Sequence, residues 1–233
     1  MDRFISVCIP TYNRYEFTIQ SIANILRDDR VSEIIINDDA STDDSYGKLI
    51  EYYKDYSKVK LFKNETNLDC YANKRQAISL ATNEWVIILD SDNVIDQSYI
   101  DSIYKVGIWD SRMILAPEFA EPTFDYTAFA GMTITRENVG KYLGQQFFET
   151  MLNCMNYFVN RDEYLRVWDS SVNPHTSDSI YQNYRWLLHS NVIYVVSGMR
   201  YFHRLHDASH YLMNNHKTGV FHNEVLTKLI QLS

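Results

Sequence analysis

Trp85-Val86-Ile87-Ile88-Leu89-Asp90-Ser91-Asp92-Asn93 is the stretch on which the prediction of the fold rests. An uninterrupted apolar run gives way here, within one residue, to a polar one. A short apolar run is typical of a strand that is buried on both faces of a parallel sheet. The two aspartates would then lie at the carboxyl end of that strand, where open parallel sheets bind their ligands.

The segments before this run alternate between the patterns of strands and helices. Apolar runs predict strands at 4–10, 34–36, 59–62 and 85–89, and apolar spacing predicts helices near 19–26, 45–56 and 72–81. Asn13 or Thr11 is the expected cap of the first helix. Strands that alternate with helices predict an α/β fold with a mostly parallel central sheet flanked by helices.

The second half of the chain has a less regular pattern. Strands are predicted at 113–117, 127–135 and 192–196, a loop at 118–125, and helices at 161–168, 177–189 and 223–232. No internal repeat, low-complexity segment or long linker divides the chain. We therefore expect one domain over 1–233, made of two closely joined halves at 1–105 and 106–233.

Composition limits the partners and the compartment. The formal net charge is −8, which argues against a nucleic acid as the main partner. The apolar runs are too short to cross a bilayer, and the run at 4–10 has no cleavage-site pattern, so we expect no transmembrane segment and no signal peptide. Three cysteines without metal-ligand spacing, Cys8, Cys70 and Cys154, suit a reducing compartment and a cytoplasmic location.

Asp90-Ser91-Asp92 is the strongest candidate site. Two carboxylates after a buried strand are suited to Mg²⁺ or Mn²⁺, because hard cations prefer oxygen ligands and bridge phosphate groups. The alternative is a purely structural role, in which Ser91 or Asp92 caps a helix that starts near Asp96. The position at a strand end favours the metal site.

Two further polar clusters are predicted at the same edge of the sheet, at 11–14 and 38–44. Asp38 or Asp39 is suited to accept a hydrogen bond from a uracil imide or a ribose hydroxyl, although Ser41-Thr42-Asp43 alone would make a capping turn. Lys74 and Arg75, early in the helix before the metal strand, are suited to clamp a diphosphate. The alternative for both cations is a solvated helix face.

Three motifs together resemble family 2 glycosyltransferases of the GT-A fold. They are Ile9-Pro10-Thr11-Tyr12-Asn13-Arg14, Asn37-Asp38-Asp39-Ala40-Ser41-Thr42-Asp43 and Leu89-Asp90-Ser91-Asp92-Asn93. The resemblance covers about the first 105 residues. It implies an inverting transferase that moves a sugar from a nucleoside diphosphate sugar, usually UDP-linked, to a hydroxyl of a glycan or glycoconjugate. In that case 1–105 is the nucleotide-sugar half, and 106–233 is the acceptor and catalytic-base half.

The resemblance also implies roles for residues of the first half. The nucleotide and donor would be held by Pro10, Thr11, Tyr12, Arg14, Asp38 or Asp39, Lys74, Asp90, Ser91 and Asp92. Asp92 would be the more direct metal ligand, and Asp90 would lie nearer the ribose and phosphates. Asp69 and Asn83 stand where the family usually has glycine, and both residue types tolerate positive φ.

In the second half the resemblance is looser. It implies that Asp178 is the general base, although the family's acidic pair is reduced here to one carboxylate; the alternative is that Asp178 only caps its helix. The segment 201–209 resembles one with an Arg-x-His pattern, which implies that Arg204 contacts the diphosphate and His206 is a third metal ligand or a phosphate contact. A surface role is the alternative for His206 and the expectation for His203 and His210.

Two other functions are compatible with part of this pattern. A sugar-1-phosphate nucleotidyltransferase also combines an alternating sheet with an acidic metal site, but it needs a glycine-rich loop after the first strand, and 10–14 contains no glycine. A binding protein that holds a nucleotide-sugar without turning it over is supported by the incomplete acidic pair at Asp178. Measurement of nucleoside diphosphate release would separate it from a working transferase.

Overall fold

A single mixed sheet runs through both halves of the chain. The computed structural model describes residues 3–153, 156–206 and 210–233, with the backbone alone for 210–218. In these ranges the strands are β1 (Ile5–Thr11), β2 (Val31–Asp38), β3 (Val59–Lys63), β4 (Trp85–Ile88), β5 (Met113–Glu121), β6 (Phe124–Asp125), β7 (Thr133–Ile134), β8 (Phe158–Asn160) and β9 (Val192–Phe202).

The strand order is β3-β2-β1-β4-β8-β5-β9-β7, with β6 paired to β5. The pairs β1–β2, β1–β4, β2–β3 and β5–β9 are parallel. β8 is antiparallel to both β4 and β5 and so links the two parallel groups. The sheet is therefore mostly parallel, as predicted, and its strand ends gather polar residues from distant parts of the sequence.

Helices flank this sheet. They are α1 (Tyr15–Ile22), α2 (Ser45–Tyr53), α3 (Asp69–Ser79), α4 (Gln97–Lys105), α5 (Phe148–Leu152), α6 (Arg161–Arg166), α7 (Asp178–Leu188) and α8 (His210–Ile230). All of β4 is buried, as an apolar strand in the middle of a covered sheet must be. None of the described helices is both long enough and apolar enough to cross a membrane.

In the second half, the predictions made for two segments are wrong. The predicted strand at 127–135 is wrong, because Gly131 has φ +76° and turns the chain, which leaves a 3₁₀ turn at Thr127–Phe129 and only the two-residue β7. The predicted loop at 118–125 is wrong as well. Its polar Glu118 is buried but accepts from Arg200 of β9 at 3.2 Å, so β5 continues beside β9 to Glu121.

The predicted cap of the first helix is also wrong. Neither Asn13 nor Thr11 caps α1: the Asn13 side chain accepts from the backbone N–H of Thr42, and the Thr11 hydroxyl is bonded to that of Thr18. At α4 the cap is Asp96, whose carboxylate accepts from two backbone N–H groups of the first turn. The structural alternative for Ser91 and Asp92 therefore does not apply.

Candidate active site

The carboxyl ends of β1, β2 and β4 are adjacent in the sheet. Thr11 at the end of β1 is in register with Asp38 at the end of β2. The backbone N–H of Asp39 donates to the Thr11 carbonyl at 2.8 Å, and that of Leu89 donates to the Cys8 carbonyl at 3.0 Å. The predicted polar clusters therefore lie along one edge of the sheet.

At the end of β2 the two aspartates have different environments. The Asp38 carboxylate is fully buried and accepts from both the N–H and the hydroxyl of Ser41, so it holds the turn. Asp39 accepts from Asn64 and from the backbone N–H of Leu68, both at 2.8 Å. Burial raises the pKa of Asp39. Tyr12, on the neighbouring loop, keeps 40% of its surface exposed.

At the end of β4 a buried cation joins two carboxylates. The Lys74 ammonium, on α3, lies 3.1 Å from Asp90 Oδ1 and 2.7 Å from Asp178 Oδ2. Burial favours a lower pKa for Lys74, but the charges of Asp178 and Asp90 outweigh it and raise that pKa. Burial raises the pKa of Asp90, although Lys74 opposes the shift. The alternative of a solvated helix face thus applies to the exposed Arg75 but not to Lys74.

Asp178 is the first residue of α7, and its side chain is almost fully buried. One carboxylate oxygen accepts from the backbone N–H of Ser179 at 2.9 Å, within the first helical turn. The other oxygen faces Lys74. The side chain therefore does more than satisfy its own helix, because it is held beside the end of β4 by an ion pair from another element.

Asp92 lies in a separate group of contacts from Asp90. Its Oδ2 accepts from Arg14 Nη1 at 2.6 Å and lies 3.0 Å from His206 Nε2. Burial favours a higher pKa for Asp92, but the bond with His206 and the charge of Arg14 outweigh it and lower that pKa. Arg204 donates from Nε to the backbone carbonyl of Asp92 at 3.1 Å. The late Arg-x-His segment is thus folded onto the strand end that carries the predicted motif.

Three neighbours of these two groups of contacts were not identified from the sequence. Phe17 and Gln20 of α1 contact Arg204, and Phe17 also contacts His206. Asn156 accepts from the backbone N–H of Asp90 at 3.0 Å. For α1 a signal existed, because Phe17 and Gln20 follow Arg14 at helical spacing, whereas an isolated asparagine far along the chain offers none.

His203, which was expected at the surface, is instead partly buried. Its ring packs against Phe124 and Tyr201, and burial lowers the pKa of His203. The His210 side chain and the residues 207–209 of the same motif lie outside the described residues, as does Cys154.

A divalent cation requires ligand atoms that converge on one point. Among the described residues, no cluster of three or more His, Cys, Asp or Glu side chains is suited to hold a metal. Asp92 and His206 do converge, and Asp90 lies on the side of Lys74. Because a divalent cation can be held by one or two protein side chains when a ligand's phosphate oxygens complete its coordination, the Asp92 carboxylate and the His206 imidazole fit such a cation.

Comparison with known proteins identifies the family. The sequence profile described as Glycosyl transferase family 2 matches residues 6–158, more than half of the chain. The match includes Asp39, Lys74, Asp90 and Asp92, whereas Asp178 and the segment with Arg204 and His206 lie beyond it.

Curated relatives agree with this profile over part of the chain. The glycosyltransferase GlyG of Streptococcus pneumoniae is 29% identical over 106 residues, 45% of this chain and 35% of the relative. The GalNAc(5)-diNAcBac-PP-undecaprenol beta-1,3-glucosyltransferase of Campylobacter jejuni is 36% identical over 93 residues, 38% of this chain and 29% of the relative. The chain thus spans about a third of the length of these relatives.

Solved structures extend the likeness to nearly the whole fold. S. aureus TarS 1-349 in complex with UDP superimposes with a TM-score of 0.68 at 18% identity, over 97% of this chain and 70% of that one. The complex of TarS 1-349 with UDP-GlcNAc gives a TM-score of 0.67 at 18% identity, over 89% of this chain and 60% of that one. These likenesses confirm the predicted GT-A-type fold. The profile match over more than half of its length shows that the chain belongs to glycosyl transferase family 2.

Proposed function

We propose that this chain transfers a sugar from a nucleoside diphosphate sugar to a hydroxyl of a glycan or glycoconjugate. The nucleotide of the proposed donor is UDP. The observation that carries the proposal is the contact of Lys74 with both Asp90 and Asp178. It brings the only carboxylate of the 170–180 segment to the strand end that would hold the donor. UDP in the TarS structures and the glucosyltransferase name of the C. jejuni relative support this donor and acceptor class.

The nucleotide would lie along the ends of β1 and β2. Pro10, Thr11 and the exposed Tyr12 would line the base, and Asp39 would accept its imide N–H. We assign this contact to Asp39 because the Asp38 carboxylate is already committed to the turn at Ser41. A carboxylate at this position accepts from the imide of uracil but repels the acceptor nitrogen of cytosine, which favours UDP.

The diphosphate would lie beside the end of β4, between the two groups of contacts around Asp90-Ser91-Asp92. Lys74 is on one side, and Arg14 and Arg204 are on the other. Guanidinium groups bind phosphate oxygens through paired hydrogen bonds. Mg²⁺ or Mn²⁺ would be held by Asp92 and His206, with Asp90 nearby, and would neutralise the charge that develops on the leaving diphosphate.

The chain's own part in the reaction is to activate the acceptor. Asp178 would take the proton of the acceptor hydroxyl while that oxygen bonds to the anomeric carbon from the face opposite the diphosphate. The bond from the anomeric carbon to the diphosphate breaks, and the nucleoside diphosphate leaves with that electron pair. One displacement from the opposite face inverts the anomeric configuration.

A screen of nucleotide-sugars by thermal shift, with and without Mn²⁺, tests the donor and the metal together. A donor at 100 times its Kd stabilises the folded state by about 2.7 kcal/mol, which raises the melting temperature measurably. We expect a UDP-linked sugar to give the largest shift, and Mn²⁺ to increase it. Failure of all nucleoside diphosphate sugars to shift the transition would contradict the proposal, and an unchanged shift with Mn²⁺ would contradict the metal.

A second candidate is a protein that binds the nucleotide-sugar without catalysis. Two observations favour it: Asp178 stands alone between Ser177 and Ser179 where the family has an acidic pair, and its carboxylate already forms an ion pair with Lys74. Release of UDP in the presence of a panel of glycan and lipid-linked acceptors separates the two functions. A binding protein would give a thermal shift but no release with any acceptor.

A further inference from the structure

One face of α1 contacts both Arg204 and His206 of the segment that follows β9. The residues of this face, Arg14, Phe17 and Gln20, are spaced three apart and so lie on the same side of the helix and its first turn. Arg14 binds the Asp92 carboxylate at 2.6 Å, and Gln20 accepts from Arg204 Nη2 at 2.7 Å. We call these three residues the α1 face, and residues 203–206 the late segment.

Phe17 lies at the centre of this face, between the two functional side chains of the late segment. Its ring centre is 4.7 Å from the guanidinium carbon of Arg204. It is also 4.7 Å from the ring centre of His206, at an interplanar angle of 54°. An aromatic ring attracts a cation over its face and packs against a second ring, so one side chain fixes both groups.

Packing of α1 onto the sheet does not explain why a phenylalanine occupies position 17. The buried residues of α1 are Thr18, Ser21 and Ile22, whereas Phe17 is only partly buried and Gln20 is exposed. The helix therefore packs through a different side. The α1 face is turned toward the strand end of β4 and the late segment, where packing of the core places no demand on it.

We infer that Phe17 is a positioning residue, which holds Arg204 and His206 in the orientation that binds the diphosphate and its cation. The effect on ligand binding rests on the proposed function. The role of Phe17 in holding the late segment against α1 does not. Without the ring, the late segment would still be attached through Gln20 and through hydrogen bonds made by its own backbone. One of these runs from the Arg204 N–H to Asn93 Oδ1 at 3.2 Å. Nucleotide affinity would then fall while the fold remains.

The test compares Phe17→Ala, Phe17→Trp and the control Glu16→Ala, an exposed neighbour outside the α1 face. The first measurement is amide hydrogen exchange of residues 203–206 without ligand. We expect exchange at Arg204 to accelerate roughly tenfold in Phe17→Ala and to stay within about twofold of the wild type in the other two variants. Equal exchange in Phe17→Ala and wild type would overturn the inference, whatever the protein binds.

The second measurement is the Kd of UDP in the presence of Mn²⁺, by calorimetry. We expect Phe17→Ala to weaken binding about tenfold, and Phe17→Trp to restore it to within about threefold of the wild type, because tryptophan keeps the aromatic face. Equal affinity of Phe17→Ala and wild type, or binding by Phe17→Trp as weak as by Phe17→Ala, would overturn the positioning role. If wild type itself binds no nucleotide, the proposed function fails, and the exchange measurement still decides the docking.

Discussion

At the residue scale, the site is defined by how its charges are paired. Asp90 and Asp178 share Lys74, whereas Asp92 is paired with Arg14 and His206. Sequence alone identified the carboxylates, because a strand end followed by two aspartates is visible in the order of residues. It did not identify the pairing, since Lys74 and Asp178 meet only after α3 and α7 have packed on the same edge of the sheet.

Asp178→Asn tests the base. We expect turnover to fall about 10³-fold, within the range of a general base, while the Kd of the donor stays within about threefold. The amide keeps the shape of the side chain but cannot take the proton. Single-turnover release of UDP with a glycan acceptor measures the effect, with the exposed Asp162→Asn as control. Turnover at the wild-type rate in Asp178→Asn would assign the base to another group.

Lys74→Met tests the ion pairs. Removal of the ammonium leaves Asp90 and Asp178 as neighbouring carboxylates without their buried cation, so we expect a loss of about 3 kcal/mol in the free energy of unfolding. Urea denaturation at pH 7 measures it. Arg75→Met, at the exposed neighbouring position on α3, should cost less than about 0.5 kcal/mol. A Lys74→Met protein as stable as the wild type would show that these pairs do not hold the site together.

At the element scale, the predictions from sequence succeeded where an element carries a clear apolar pattern. Length alone did not suffice, since α8 begins at His210 but was predicted only over 223–232. β1, β2 and α3 were found because each carries a continuous or regularly spaced apolar pattern. β8 and α5 were missed, since three and five residues are too few to show a pattern. β9 was predicted only over 192–196, because its outer part carries Gly198 and Arg200 and pairs with β5 by backbone contacts that no pattern reports.

The cap of α4 allows an effect on stability to be distinguished from an effect on nucleotide binding. Asp96→Ala removes the carboxylate that accepts from two backbone N–H groups at the start of the helix, so we expect the protein to lose about 1 kcal/mol of stability. Binding of UDP with Mn²⁺ should be unchanged. Asp92→Ala should instead weaken that binding at least tenfold. Urea titration and calorimetry on both variants measure this, and weakened nucleotide binding in Asp96→Ala would contradict the assignment.

At the scale of the whole molecule, β8 joins the halves. It lies between β4 and β5 in the sheet, and its Phe158 stacks on Trp85 with ring centres 5.4 Å apart. Trp109 packs edge-on against both rings. The predicted boundary near residue 105 therefore cuts through a shared core.

This arrangement predicts that residues 1–105 do not fold alone. The fragment would expose the apolar edge of β4 and lose the partners of Trp85. We expect the isolated fragment to show no cooperative thermal transition, and the full chain to unfold in a single transition by far-ultraviolet dichroism and tryptophan fluorescence. A fragment that melts cooperatively would show that the halves are independent domains.

At the opposite end of the sheet, Glu33 ties several segments together. Its buried carboxylate accepts from Ser6 at 2.7 Å and from the Thr82 N–H at 2.8 Å, and it pairs with Lys60. Burial favours a higher pKa for Glu33, but the bonds from Lys60, Thr82 and Ser6 outweigh it and lower that pKa. The native state thus binds this proton less tightly than the unfolded chain.

Glu33→Gln should therefore cost about 2 kcal/mol of stability at pH 7. The difference from the wild type should be fully present above the ordinary pKa of glutamate, about 4.3. It should be lost as the pH falls through the lowered pKa of the native state, because a protonated Glu33 resembles the glutamine. Urea titrations between pH 7 and pH 3 measure it, with the exposed Glu51→Gln as control. A difference that does not depend on pH would contradict the role of the charge.

The pairing of charges at the end of β4 has a consequence for how ligands arrive. Cationic and anionic side chains are balanced in this part of the described structure, with Lys74, Arg14 and Arg204 beside Asp90, Asp92 and Asp178. Neither a bare divalent ion nor a bare diphosphate improves this balance, whereas the two together carry little net charge. Under the proposed function, electroneutrality would favour their entry as a preformed complex, with an affinity that depends only weakly on ionic strength.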